Sequence, residues 1–195
     1  MSVRTLSRPA RRVKAAPVPA AEDLGVGTFE SPLGTVILGV TSRGIRFLAL
    51  GDSPAALERT LRQALPWASV STGVRVPAEW QAEIRRRLAG ERPRLDLPLH
   101  TAGTAFQETV WAALCRIPMG ETRTYQQLAK TIGHPTATRA VAQACAHNDV
   151  AVLIPCHRVI RSDGGVGGYR WGEVRKERLL AVERSAAETS RPRPA

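Results

Sequence analysis

Asn148-Asp149-Val150-Ala151-Val152-Leu153-Ile154-Pro155-Cys156-His157-Arg158-Val159-Ile160-Arg161 runs directly into Ser162-Asp163-Gly164-Gly165-Val166-Gly167-Gly168-Tyr169. The apolar run Val150 to Ile154 reads as a short rigid element, and Pro155 blocks its continuation. The glycine-dense segment after it reads as a mobile cover. This order of residues predicts one thiol presented at the end of a rigid element. A thiol attacks as thiolate, and an unperturbed cysteine, with a pKa of about 8.5, is mostly protonated at neutral pH. His157 is the adjacent base, but successive side chains of extended backbone point to opposite faces. Contact then requires a bridging water or a turn at Pro155. The base in turn needs an orienting acid, and Glu177 and Glu183 on an expected helix from Glu173 to Arg184 are the candidates. For an arbitrary Cys-His pair, a structural cysteine outweighs a nucleophile. A zinc site built from Cys145, His147, Cys156 and His157 fails on spacing.

Upstream of this stretch the chain reads as helical. Thr124 to Gly133 forms one short helix, His134-Pro135 a turn, and Thr136 to Ala146 a second helix that buries Val141 and Ala144 or Cys145. Two short helices across a tight turn, with Arg139 on the second, have the outline of a helix-turn-helix. Before them, Phe106, Val110, Trp111 and Leu114 form an inward stripe that ends at Ile117-Pro118-Met119-Gly120. Cys115 beside the stripe is expected to be a small buried thiol.

Residues 25–102 read as scaffold without a catalytic constellation. Val26 to Glu30, Thr35 to Thr41 and Ile45 to Leu50 are strands of an antiparallel meander, separated by turn residues. Ser53 and Pro54 open a helix that carries Leu57, Leu61 and Leu65 on one face and stops at Pro66. A second helix, Pro77 to Leu88, turns Trp80, Ile84 and Leu88 inward and Arg85-Arg86-Arg87 to solvent. Gly90 to Leu99 is a connector with at most one short edge strand. Residues 1–24, rich in Arg, Ala and Pro without an apolar face, read as a disordered basic arm, and 185–195 as a disordered tail.

The 195-residue chain is 43% hydrophobic and carries a net charge of +11. Residues 1–24 hold +3 of this and 184–195 hold +2, leaving +6 on 25–183. A folded part that is basic in its own right favours a polyanion partner, most often nucleic acid, although Arg-rich coding backgrounds also yield basic proteins. No apolar run approaches the roughly 20 residues of a membrane span. The basic N-terminus lacks the apolar core of a secretory signal, and three cysteines cannot all pair, so a reducing cytoplasm is expected.

Ile154-Pro155-Cys156-His157-Arg158-Val159 is the active-site signature of the O6-alkylguanine-DNA alkyltransferase family, which the chain resembles from about Thr28 to Glu183. Matching blocks include Gly120-Glu121, Thr124-Tyr125-Gln126-Gln127-Leu128-Ala129, Arg139-Ala140-Val141 and Asn148. Gly103-Thr104-Ala105-Phe106-Gln107 and Tyr169-Arg170-Trp171-Gly172 are most like Ada-type members. The resemblance implies an α+β fold: an N-terminal antiparallel sheet with helices, ribonuclease H-like, over 25–102, then a mainly helical, winged-helix-like domain with a helix-turn-helix over 103–184. It implies DNA repair by direct reversal, in which one alkyl group passes irreversibly from O6 of guanine, or O4 of thymine, to Cys156 after base flipping.

In that reading His157 accepts the thiol proton through a water, Glu183 orients the imidazole, and Asn148 braces the turn that places the active-site strand. Arg139 enters the base stack and Tyr125 helps rotate the nucleotide out. Gln126, Val159, Ser162, Tyr169 and Arg170 contact DNA or the flipped base. No metal or cofactor is expected; the partner is double-stranded DNA containing O6-alkylguanine, and the chain acts as a monomer. Two departures stand out. Arg170 replaces the serine of other members and narrows or recharges the pocket rim, and the Cys-rich zinc domain of Ada is missing, so self-methylation is not expected to switch on transcription directly. The alternatives are a lesion-binding module without repair, against which Cys156 argues, and a helix-turn-helix regulator, for which no dimerisation segment is evident.

Overall fold

Two-residue turns at Pro32-Leu33 and Ser42-Arg43 fold residues 23–51 into three antiparallel strands: β1 (Asp23–Ser31), β2 (Gly34–Thr41) and β3 (Gly44–Gly51). This computed structural model describes residues 22–71 and 73–189. The expected meander is present. A short strand β4 (Ser69–Val70) adds to β1 in parallel, so the four-stranded sheet is mixed, in the order β3-β2-β1-β4. Between β3 and β4 lies α1 (Pro54–Ala64), capped by the Ser53 side chain with Pro54 in the first turn, as its sequence predicts. Helix α2 (Ala78–Leu88) buries Ile84 and Leu88. Its arginines are not a simple solvated face: Arg87 pairs with the buried Glu83 at 2.9 Å, and Arg85 lies over the Phe29 ring. No strand forms between Gly90 and Leu99, and Leu99 makes only an isolated bridge to Ile45.

The second half holds α3 (Ala105–Cys115), β5 (Arg123–Thr124), α4 (Tyr125–Thr131), α5 (Thr138–Ala146), a 3-10 turn (Cys156–Arg158), β6 (Val159–Ile160) and α6 (Glu173–Thr189). Both α3 and α4 begin in full capping boxes, Thr104 with Gln107 and Thr124 with Gln127, which fixes where each helix starts. Strands β5 and β6 pair in parallel. With six α-helices and a mixed sheet, the described chain is α+β.

Strand β3 joins the two halves. An edge strand leaves backbone groups unpaired, and here they are taken up by distant segments. The Ile45 amide donates to the Pro98 carbonyl at 2.8 Å and the His100 amide to the Ile45 carbonyl at 2.9 Å. Further along, the Leu48 amide donates to the Asp149 carbonyl at 2.8 Å and the Ala151 amide to the Leu48 carbonyl at 2.9 Å. The segment before Cys156 is thereby fastened to the N-terminal sheet. Apolar side chains from both halves form one continuous core, in which Phe47 meets Trp171 edge to face at 6.0 Å between ring centroids.

Several expectations are corrected. Asp23 and Leu24 belong to β1, with Leu24 fully buried, because the sheet continues past the expected end of the arm; residues 1–21 lie outside the described residues. Helix α6 runs to Thr189, past the expected boundary at 184, and 190–195 also lie outside the described residues. Cys115 is exposed rather than buried, since it ends α3 one position beyond the inward stripe. Among the described residues no helix is long and apolar enough to cross a membrane.

Candidate active site

Helix α5 ends at Ala146, and the Asn148 side chain then organises the segment leading to Cys156. Its Oδ1 accepts from the Val150 amide at 2.9 Å, while Nδ2 donates to the Ile154 carbonyl at 2.8 Å and to Cys156 Sγ at 3.2 Å. Held at both ends, Val150 to Ile154 folds back as a turn instead of extending: the Ile154 amide reaches the Val150 carbonyl, and Val152 sits at a φ of 69°. This corrects the expected active-site strand. A β-branched residue in the left-handed region is strained, and the Asn148 bonds together with the β3 pairing hold it there.

Past Pro155 the chain enters the 3-10 turn, so Cys156 and His157 do not alternate as they would in a strand. Cys156 is 6% exposed, and His157 is fully buried against α6. His157 Nε2 lies 2.9 Å from Glu183 Oε1. Arg158 grips the same carboxylate, Nε to Oε2 at 2.9 Å and Nη2 to Oε1 at 2.8 Å, and donates through Nη1 to the Ile117 carbonyl at 2.6 Å. The Gly120 amide adds a donor to Oε2 at 3.3 Å. Of the two candidate acids, Glu183 is the one in place; Glu177 is exposed.

Burial alone would raise the Glu183 pKa, but the hydrogen bonds from His157 and Arg158 overcome it and bring it down to about 2. An ionised Glu183 only accepts, so Nε2 carries the proton it donates, and in the neutral ring Nδ1 has the free lone pair. Nδ1 makes no hydrogen bond among the described residues. Burial holds the His157 pKa below its ordinary value, against the opposing pull of Glu183. Burial also pushes the Cys156 thiol up, countered by the Asn148 hydrogen bond and by the charges of Lys176 and Arg170.

Cys156 opens into a cavity of about 420 Å3 lined by Tyr125, Ala142, Cys145, Ala146, Gly168, Tyr169 and Arg170. Burial pushes the Tyr125 hydroxyl up to about 12, with smaller contributions from the two thiols, so it stays protonated and able to donate. Tyr169 packs its ring against His157 at 6.4 Å between centroids, and its buried hydroxyl has no partner among the described residues. Arg170 is ion-paired to Asp149 at 2.7 Å.

The structure thus brings Tyr125, Cys156, Tyr169 and Arg170 to one cavity, with Asn148, His157 and Glu183 behind it. Val159 is buried, pairing with Arg123 between β6 and β5. Gln126 and Arg139 are exposed on α4 and α5, outside the cavity lining, and Ser162 is exposed in a turn away from it. Of the glycine-dense segment, only Gly168 and Tyr169 line the cavity.

Sequence reasoning missed four residues. Cys145 shares the cavity, and Arg158 clamps Glu183. Lys176 is fully buried and donates from Nζ to the Val159 carbonyl at 2.7 Å, and Asp149 anchors Arg170. A lysine on the inward face of α6 is the one signal that helical periodicity could have supplied. Among the described residues no group of three or more His, Cys, Asp or Glu side chains is placed to hold a metal ion.

The family described as 6-O-methylguanine DNA methyltransferase, DNA binding domain, matches residues 105–185. The chain is 48% identical over 156 residues to the bifunctional transcriptional activator/DNA repair enzyme Ada of Escherichia coli, covering 77% of this chain and 43% of that protein. It therefore spans less than half the length of the Ada proteins it matches. The methylated-DNA–protein-cysteine methyltransferase of Methanosarcina barkeri is 37% identical over 165 residues, covering 80% of this chain and 94% of that one. The crystal structure of Mycobacterium tuberculosis OGT in complex with DNA superposes with a TM-score of 0.68 at 34% identity, covering 84% of this chain and 94% of that one.

Proposed function

The chain belongs to the methylated-DNA–protein-cysteine methyltransferase family, and on that premise we propose that it repairs alkylated DNA by moving the alkyl group of O6-alkylguanine, or O4-alkylthymine, irreversibly onto Cys156. One observation carries the reading. A buried thiol at the wall of a cavity is hydrogen-bonded by Asn148, next to an imidazole that Glu183 holds at 2.9 Å with its other nitrogen unpartnered among the described residues.

His157 Nδ1, through a bridging water, takes the thiol proton, and Glu183 stabilises the imidazolium that results. The S–C bond forms as the C–O6 bond breaks, the bonding pair stays on oxygen, and a proton returned to the purine ring leaves a neutral guanine carbonyl. The Tyr125 hydroxyl at the cavity wall is suited to help that protonation. Each molecule acts once, because the thioether offers no leaving group to water. No metal or cofactor enters this balance.

The O6 atom lies inside the duplex, so the buried thiol reaches it only after the nucleotide is extruded, at a cost of a few kcal/mol. Arg139, exposed on α5, fills the gap in the stack, and Gln126 and Ser162 contact the DNA. Tyr169 and Arg170 bound the flipped base, while Val159, fully buried and outside the cavity lining, does not. Helices α4 and α5 serve as a helix-turn-helix within a winged-helix-like domain, and the sheet half is ribonuclease H-like. The excess positive charge of residues 25–183 supplies the sequence-independent part of binding. We assign the chain to the cytoplasm, acting as a monomer.

The test is intact-protein mass after incubation with duplex DNA containing O6-methylguanine. A gain of one methyl group per molecule, absent in Cys156→Ala, is expected. Protein that binds the lesion tightly yet stays unmodified would instead be a lesion-binding module, and the proposal would fall.

A further inference from the structure

Arg170 lines the Cys156 cavity, and its guanidinium is fixed on two sides. Nη1 donates to Asp149 Oδ1 at 2.7 Å, and the planar group lies over the Trp171 ring, 4.7 Å from its centroid. Asp149 is itself fixed independently of Arg170. Its backbone belongs to the pairing with Leu48 on the β3 edge, and its second carboxylate oxygen faces Arg46 Nη1 at 3.5 Å. Arg46 is 7% exposed and lies over the Trp67 ring at 5.5 Å, so that cation has little room to move. A line of charges thus runs from the N-terminal sheet to the rim of the cavity, while Asp149 does not line the cavity itself.

We propose that Asp149 is a specificity-determining residue: by pinning Arg170, it makes the rim a fixed boundary that admits a small alkyl group and resists a bulky one. An arginine without a partner keeps several rotatable bonds and yields when a larger group presses on it. A pinned arginine yields only when its ion pair breaks. The Arg170 side chain is 30% exposed and that of Asp149 20%, so the restraint is moderate, enough to grade substrates rather than to exclude one absolutely. This inference rests on the alkyl-acceptor reading of Cys156.

The experiment measures second-order rates of transfer to Cys156 from duplexes of one sequence carrying either O6-methylguanine or O6-benzylguanine. It compares the unsubstituted chain, Asp149→Asn, Arg170→Ala and the double variant. Asp149→Asn should raise the benzyl-to-methyl ratio about five-fold, the scale of a partly exposed ion pair. Arg170→Ala should raise it at least as much, and the double variant should match Arg170→Ala, because the acid acts through the arginine. An unchanged ratio in Arg170→Ala, or an Asp149→Asn effect that persists undiminished without Arg170, overturns the proposal. If a thermal melt finds Asp149→Asn unfolded, Asp149→Ser takes its place with the same outcome expected. Normal methyl transfer with unchanged ratios defeats this inference alone, whereas no transfer by the unsubstituted chain from either duplex defeats the alkyl-acceptor reading as well.

Discussion

Glu183 is buried to 4% exposure and kept ionised by His157, Arg158 and the Gly120 amide, so its charge is bound up with both stability and chemistry. Its pKa falls from 4.5 to about 2 on folding, so between those values the unfolded chain binds more protons and stability drops as pH falls. The buried imidazole of His157 also resists protonation, so its contribution is fully present above 6.5 and is lost below that pH, where the unfolded chain takes up the proton. Urea midpoints measured from neutral pH downward should therefore decline first below 6.5 and again below 4.5. Glu183→Gln should lose most of the second decline, and its methyl-transfer rate should fall by about 100-fold, the low end for loss of general-base assistance. A Gln variant with the full second decline, or with unimpaired transfer, would contradict the assignment. The signature residues are visible in sequence because chemistry restricts their type, and of the two candidate acids the family resemblance singles out Glu183. Arg158, Lys176 and Asp149 are not, since a charge looks the same in sequence whether it faces water or a carboxylate 25 residues away.

At the scale of elements, α6 is set against the turn before β5 by a glycine. Gly120 adopts a φ of +83°, and a Cβ there would lie 2.6 Å from the Ala187 Cβ and 3.1 Å from the Glu183 carbonyl. Gly120→Ala should cost about 1–2 kcal/mol from the backbone conformation alone, more with the clash, and should slow methyl transfer by shifting Glu183. Denaturant unfolding and the transfer rate measure the two effects, and a variant as stable and as fast as the parent would refute the argument. The starts of α1 and α4 can be read directly, because Ser53, Pro54 and Thr124 are local signals whose partners lie within three residues. The segment Val150 to Ile154 reads as extended in sequence because apolar β-branched residues favour strands. The Asn148 side chain supplies the turn hydrogen bonds that overrule that preference.

For the molecule as a whole, the net charge of +11 favours a polyanion, and on the proposed repair function it sets how the protein meets DNA. Affinity for an undamaged duplex should fall about 100-fold between roughly 50 and 200 mM salt, as about four neutralised phosphates would give; binding indifferent to salt would rule out that mode of contact. The two halves act on one site because β3 lends its open edge to residues 98–100 and 149–151, and Phe47 packs on Trp171 across them. Sequence by itself determined the meander, the capped helices, the thiol and the family resemblance, all of which rest on local hydrogen bonds, on periodicity or on residue types that few chemistries use. The residues alone left Glu177 and Glu183 open and the family resemblance picked Glu183; only the tertiary structure decided that Arg158 clamps its carboxylate, that Cys156 sits on a 3-10 turn, and that Arg46 reaches the cavity rim through Asp149. Those outcomes depend on groups 25 and 103 positions apart in the chain, and no short-range signal encodes which partner the packing will bring to a charge.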